Sequence, residues 1–197
     1  MREGVRLIVI LTIVSLVAGA SLAYTYQATM PRIRVNEAKA RKEALGEVVP
    51  GTARFDTVTV KIALPGAGGK LEAHEVEVYR CLDGSGKVAG LAYVAQPAGF
   101  NDAIQLMVGV DPGTRRVLAV KVLDQKETPG LGAKVKEPKY TDQFKGKNLA
   151  DPWLASRSGS DVQAVTGATI SSKAVAGGIK AWTEAVLAAY EKEGGRA

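Results

Sequence analysis

Hydrophobic and polar positions change their spacing along the chain, and each spacing predicts a different kind of element. From Leu7 to Met30 no charged residue occurs, and the apolar run from Leu7 to Ala23 is close to the roughly 20 residues that cross a bilayer. We therefore predict a transmembrane anchor over residues 1–30. A cleavable signal peptide is the competing interpretation, because Ala18-Gly19-Ala20 is a small-x-small site behind a short apolar core.

Residues 31–50 form a second stretch, which is rich in Lys, Glu and Ala. Its apolar positions recur at near-helical spacing, at Val35, Ala38, Leu45 and Val49. Pro50-Gly51 then ends the pattern as a helix stop. We predict a linker helix here, connecting the anchor to a domain over residues 51–197.

Short apolar runs separated by turn residues open that domain. They are predicted strands at Thr57–Leu64, His74–Arg80, Val88–Ala95, Ile104–Val110 and Val117–Leu123. The connections are of hairpin length, as at Pro65 to Gly69 and Asp83 to Gly86. Val76 and Val78 alternate with Glu75, Glu77 and Tyr79, as expected of a strand with one face in water. The predicted fold class is α+β, with a largely antiparallel sheet and flanking helices.

A helical pattern returns near the C-terminus. Val175, Ile179, Trp182 and Val186 recur at spacings of four, three and four, so they lie on one apolar face. Lys173, Lys180 and Glu184 lie off that face. Either Thr169 or Ser171 is a natural N-cap for this helix, and its N-terminus favours an anion such as a phosphate.

The amino-acid composition limits the kinds of binding site and redox group that this chain can form. The formal net charge is +6, but the basic residues are scattered and few aromatic residues lie among them, which favours a solvated surface over nucleic-acid binding. Cys81 is the only cysteine and His74 the only histidine, so neither a disulfide within the chain nor a cysteine- or histidine-held metal is expected. We interpret His74 as a surface residue without a role. Redox chemistry would need an organic cofactor.

Two segments carry candidate chemistry. Glu127-Thr128-Pro129-Gly130-Leu131-Gly132 follows a predicted strand, and its glycines let the backbone approach a ligand closely. Thr166-Gly167-Ala168-Thr169-Ile170-Ser171-Ser172 places four hydroxyl side chains at a helix start. From residue types alone, the first segment could be an ordinary turn and the second a turn with a helix cap.

The second segment resembles the [Ser/Thr]-Gly-Ala-Thr signature of the FMN-binding domain family. In that family a flavin transferase esterifies the last threonine with FMN through its phosphate. The resemblance implies that Thr169 is the attachment residue, that Thr166, Gly167 and Ala168 form the recognition segment, and that Ser171 and Ser172 donate hydrogen bonds near the phosphate. The family commonly has an aspartate six residues before the modified threonine, where this chain has Gln163, with Asp161 two residues earlier.

The first segment lies about forty residues before the second. It resembles the corresponding loop in the G subunit of the Rnf complex and in the C subunit of the sodium-pumping NADH:quinone oxidoreductase. The resemblance implies that this loop contacts FMN, through Glu127, Thr128, Gly130, Leu131 and Gly132. These proteins often have a histidine where this chain has Gln125. Anchor, sheet and both motifs occur in the expected order, and the short interval between anchor and sheet favours the Rnf-type G subunit.

The resemblance implies a membrane-anchored electron carrier with covalent FMN, within an ion-translocating ferredoxin:NAD oxidoreductase. Its expected partners are the other membrane subunits, a flavin transferase during maturation, and membrane lipid. Arg2 and Arg6 precede the anchor, which favours a cytoplasmic N-terminus and an extracytoplasmic domain at the inner membrane. The alternatives are an FMN subunit of a sodium-pumping NADH:quinone oxidoreductase or another respiratory protein and, in a different class, an extracellular scaffold without cofactor.

Overall fold

The computed structural model of the chain describes residues 2–65, 71–151, 153, 155–156 and 162–193. The chain divides into two compact units, Met1–Ala40 and Arg41–Ala197. The predicted turn residues 66–69 and Asp161 lie outside the described residues.

Helix α1 spans Arg2–Val48 as one continuous element. It contains a stretch long and apolar enough, by length and composition, to cross a membrane. Threonine hydroxyls in this region donate to carbonyls one turn back, as Thr12 Oγ1 does to Ile8 O at 2.8 Å, so they are satisfied without water. The predicted linker helix is part of the same helix as the predicted anchor, since α1 continues through Pro31. The residues after Pro31 include many Ala, Lys and Glu, which favour helix.

The second unit contains a five-stranded antiparallel sheet in which every strand pairs with its neighbour in sequence. Its strands are β1 (Arg54–Pro65), β2 (Leu71–Leu82), β3 (Val88–Ala95), β4 (Gln105–Asp111) and β5 (Arg116–Asp124). All five predicted strands are present, and β1 and β2 extend beyond their predicted ends. The predicted α+β class is confirmed.

Short elements lead the chain from β5 to the last helix. Their bounds are a 3₁₀ turn at Gly132–Lys136, helix α2 at Pro138–Thr141, a 3₁₀ turn at Asp142–Phe144, and the parallel two-residue strands β6 (Ala155–Ser156) and β7 (Val162–Gln163). Helix α3, Thr169–Lys192, then packs against one face of the sheet. The predicted apolar face of α3 is confirmed, since Val175, Ile179, Trp182 and Val186 are all buried.

His74 departs from its predicted surface position. Its ring lies 5.3 Å, centroid to centroid, from that of Trp182 on α3, and its side chain is half-buried. The alternation of β2 places His74 on the same face as Val76 and Val78, which α3 covers.

The opposite face of the sheet is not simply in water. Tyr79 was predicted to be solvated but is buried in a second apolar cluster, together with Cys81, Ala92, Met107, Ala44, Leu45, Val48 and Val49. Gly109 of β4 permits this packing, because a Cβ there would come within 2.1 Å of Val48 O. Residues 44–49 therefore complete the core of the second unit, and Arg41 is its first residue.

Candidate functional site

Helix α3 begins without a side-chain cap. Its N-cap is Ala168, so the prediction of Thr169 or Ser171 as N-cap is wrong, and Thr169 is instead the first helical residue. A turn at Gly167, with φ +80°, sets up this start, and Ser172 N donates to Ala168 O at 3.0 Å. Amides earlier in the first turn have no intrahelical acceptor, and they add to the positive end of the helix dipole.

The two serines of this segment hold the helix start in place. Ser172 Oγ accepts from Val165 N at 2.9 Å and donates to Ala168 O at 2.8 Å, so it ties the segment before the helix to the first turn while the first-turn amides stay uncapped by a side chain. Ser171 Oγ donates to Glu127 Oε2 at 2.6 Å. Both side chains are buried, and both hydroxyl protons are donated to protein acceptors rather than toward solvent.

The loop after β5 folds back on itself. Thr128 O accepts from Leu131 N at 3.1 Å and from Ala133 N at 3.2 Å, and Gly130 has a φ of +77°, which an L side chain rarely adopts. The chain then enters the 3₁₀ turn at Gly132. A Cβ on Gly132 would lie 2.6 Å from Glu127 Oε2, so only glycine fits between the loop and this carboxylate.

Glu127 joins three separate segments of the chain. Its Oε1 accepts from Phe100 N at 2.8 Å and Asn101 N at 3.0 Å, while its Oε2 accepts from Ser171 Oγ. Its own amide donates to Gln125 Oε1 at 2.7 Å, which gives the residue at the family's histidine position a role in shaping the loop. Burial acts to raise the pKa of Glu127, but the Ser171 hydroxyl and the loop amides outweigh it and hold that pKa below its ordinary value. The buried side chain is therefore ionised.

Both predicted motifs line one open cleft of about 300 Å³. Of the predicted site residues, the structure brings together Glu127, Thr128, Leu131, Gly132, Gly167, Ala168, Thr169 and Ser171. Gly130 shapes the loop, and Ser172 is buried behind the helix start. Thr166 lines a neighbouring groove of about 270 Å³ with Lys134, Lys139 and Gln163. There Gln143 pairs with both backbone groups of Gln163.

Phe100 is a cleft residue that the sequence reasoning did not select. It follows Pro97-Ala98-Gly99 in the loop between β3 and β4. Beyond residue 40, five large hydrophobic side chains among the described residues are exposed, and three of them, Phe100, Leu131 and Ile170, border this cleft. That clustering exists only in three dimensions, because about thirty residues or more separate these three positions.

The cleft fits a flavin mononucleotide in its chemistry. Exposed apolar side chains suit a flat aromatic ring, and a helix N-terminus suits a phosphate. A Cβ on Gly167 would lie 2.9 Å from Leu131 Cδ2, so glycine keeps the two motifs in close contact.

Comparison with known proteins agrees with this chemistry. Residues 99–184 match the FMN-binding domain family. The crystal structure of Shewanella oneidensis NqrC, 24% identical, has a TM-score of 0.57 over 74% of this chain and 73% of that one, which supports the fold. The chain therefore carries an FMN-binding domain behind an N-terminal helix that is long and apolar enough, by length and composition, to cross a membrane.

Relatives that match most of the chain define the family further. The G subunit of the ion-translocating oxidoreductase complex of Methanosarcina acetivorans is 34% identical over 88% of this chain and 89% of its own length. The G subunit of the Na(+)-translocating ferredoxin:NAD(+) oxidoreductase complex of Acetobacterium woodii is 31% identical over 88% and 87%. The chain belongs to this family, the G subunits of Rnf-type ion-translocating oxidoreductase complexes. The resemblance that the two motifs predicted is confirmed.

Proposed function

We propose that this protein carries FMN esterified to Thr169 and passes electrons between membrane subunits of an Rnf-type ferredoxin:NAD oxidoreductase. The ester joins Thr169 Oγ1 to the phosphorus of FMN: the threonine hydroxyl loses its proton as it attacks an FMN phosphoanhydride donor, whose P–O bond to the second phosphate breaks so that this phosphate leaves. A flavin transferase makes it during maturation, and the other subunits of the complex are the working partners.

One observation carries the proposal: the loop at Glu127 and the helix start at Thr169 line the same cleft. A scaffold module has no need for this convergence. Thr169 is half-buried at the cleft, so its hydroxyl lies at the helix N-terminus, where an ester phosphate keeps one negative charge. The helix dipole stabilises that charge by about 0.3–1 kcal/mol.

Each part of the site has a separate task in this assignment. The flavin supplies the electron-transfer chemistry when it is bound. Ser171 and Ser172 fix the first turn of α3, and the loop at Thr128–Gly132 forms one wall. The cleft volume of about 300 Å³ is at the lower end for ligand pockets, so one edge of the flavin stays accessible to a redox partner.

A covalent tether is advantageous where free cofactor is scarce. We assign residues from about 31 onward to the extracytoplasmic side, from Arg2 and Arg6 before the apolar stretch. Outside the cytoplasm a dissociable FMN would be lost by mass action, whereas a tether keeps its local concentration high. Electrons then reach this flavin only through membrane-embedded partners, which agrees with a domain anchored by a transmembrane helix.

The covalent attachment of FMN to Thr169 is tested by measuring the intact mass of the protein. Full-length protein co-produced with a flavin transferase should carry the added mass of one FMN less one water, and its band should fluoresce after denaturing electrophoresis. Thr169→Ala should lose both signals, Thr169→Ser should retain some flavin because the hydroxyl is kept, and Thr59→Ala, an exposed threonine on β1, should retain all of it. Fluorescence from Thr169→Ala equal to the wild type would refute the attachment site.

The membrane side is tested by labelling. Ser85 is exposed in the turn between β2 and β3, so Ser85→Cys in a Cys81→Ser background should react with a membrane-impermeant maleimide in intact spheroplasts. A reaction seen only after the membrane is broken would place the domain in the cytoplasm.

A further inference from the structure

The loop between β3 and β4 is held rigidly although it lies at the surface. Its own backbone closes it, since Gly99 N donates to Asp102 O and Ile104 N donates to Pro97 O, both at 2.9 Å. Its base packs on α3, where a Cβ on Gly178 would come within 2.4 Å of Pro97 Cβ. Such a loop has little conformational freedom to lose when a ligand binds.

Glu127 holds the tip of the same loop. The two bonds from Phe100 N and Asn101 N to Oε1 lie at the exposed turn, and a Cβ on Gly99 would lie 2.4 Å from that oxygen. Asn101 Nδ2 adds a bond to Lys126 O at 3.2 Å. The backbone position of Phe100 is therefore fixed relative to the loop that carries Glu127 and to Ser171 at the helix start.

Phe100 is nevertheless 63% exposed at the cleft, so its side chain is largely unpacked. A rigid loop that presents an unpacked aromatic ring beside a cleft gains nothing in stability from that ring. Contact with a flat aromatic ligand gives the ring a partner, since offset aromatic pairs contribute beyond their buried area.

From this geometry we infer that Phe100 packs against the isoalloxazine ring of the tethered FMN, and that Glu127 is the positioning residue that holds Phe100 there. The inference rests on the proposed function, which supplies the ring. It assigns Glu127 two effects that can be separated. Its hydrogen bonds place Phe100, and its negative charge, close to the cleft, opposes the addition of electrons to the flavin and lowers the midpoint potential.

The test uses full-length flavinylated protein in detergent, after intact mass has established the flavin content of each variant. Time-resolved anisotropy of flavin fluorescence distinguishes molecules whose flavin ring is held by the protein from molecules whose ring rotates freely. In Phe100→Ala the ratio of held to free ring should fall about 2- to 10-fold. Phe100→Tyr should restore it. Leu71→Ala, which removes another exposed large side chain away from the cleft, should leave the ratio unchanged.

Two substitutions at Glu127 separate position from charge. Glu127→Ala should lower the held fraction as Phe100→Ala does, because the loop tip loses its acceptor. Glu127→Gln keeps an acceptor for Phe100 N, so the held fraction should stay near the wild-type value while the midpoint potential rises.

Each failure has a separate meaning. Attached flavin with the same anisotropy in the wild type and Phe100→Ala would refute the contact while leaving the proposed function intact. A potential unchanged in Glu127→Gln would refute the effect of its charge. Wild-type protein without attached flavin would overturn the proposed function, and this inference with it.

Discussion

Replacing Glu127 by alanine should destabilise the second unit more than a single substitution in a surface loop usually does. The substitution removes the acceptor of three hydrogen bonds, from Phe100 N, Asn101 N and Ser171 Oγ. A hydrogen bond to a charged group contributes about 1.5–3 kcal/mol. Water can replace the carboxylate as acceptor for the two loop amides. Ser171 is buried, so the lost hydrogen bond from Ser171 to Glu127 accounts for most of the expected destabilisation. The expected loss in free energy of unfolding is about 2–4 kcal/mol.

The pH dependence of this effect has a definite sign. Because the folded-state pKa of Glu127 lies below the ordinary 4.5, its ionised form stabilises the folded state. The contribution is fully present above pH 4.5 and is lost as pH falls through the lower folded-state pKa. The stability gap between the wild type and Glu127→Gln should thus be constant near neutral pH and shrink in acid.

Urea unfolding of the full chain in detergent, followed by tryptophan fluorescence, measures both effects. Trp153 and Trp182 are both in the core of the second unit, so their emission reports its unfolding. Glu75→Gln, at an exposed ion pair with Lys61, is the matched control and should change the free energy of unfolding by less than about 0.5 kcal/mol. Two results would refute the role of Glu127 in holding these segments together. One is a loss of unfolding free energy in Glu127→Ala no greater than that of Glu75→Gln, and the other is a stability difference between the wild type and Glu127→Gln that widens in acid.

Three further outcomes are expected. Gly132→Ala should lower the free energy of unfolding, measured in a urea titration, by about 1–3 kcal/mol, because its Cβ meets the Glu127 carboxylate. Gly177→Ala, in an open position of α3, should raise it by about 0.5–1 kcal/mol. Equal effects of the two substitutions would contradict the packing at Gly132. Gly130→Val should shift the visible spectrum or the potential of bound flavin while the domain stays folded, and unchanged flavin properties would leave this loop a structural role only. A soluble fragment that begins at residue 51 should melt well below one that begins at residue 41, because it lacks Leu45 and Val48; equal melting temperatures in a thermal scan would show that residues 44–49 are dispensable.

The sequence predicted those features that depend on local periodicity. Alternation and turn residues located all five strands, and the spacing of Val175, Ile179 and Val186 gave the buried face of α3. The two motifs pointed to the candidate site through their family resemblance, because their residue types alone also suit ordinary turns. Both kinds of signal are contained in a few consecutive residues, so no knowledge of the tertiary structure was needed.

Features that depend on distant contacts could not be predicted. Glu127 meets Phe100 across 27 positions and Ser171 across 44, and no local pattern encodes either contact. Tyr79 looked solvated because the residues that cover it precede β1. The N-cap was misassigned because the turn at Gly167 starts the helix at Ala168, and the Ser171 hydroxyl donates to Glu127, 44 positions away.

The burial of Cys81 turns the only thiol of the chain into a reporter of transient opening. Its side chain is fully buried on the face that residues 44–49 cover, and burial raises the pKa of its thiol, so the folded protein presents no reactive thiolate. Modification at Cys81 therefore requires that the last turns of α1 leave the sheet or that the whole unit unfolds. Its rate at low denaturant measures how often that separation occurs, in the way that hydrogen exchange measures local unfolding.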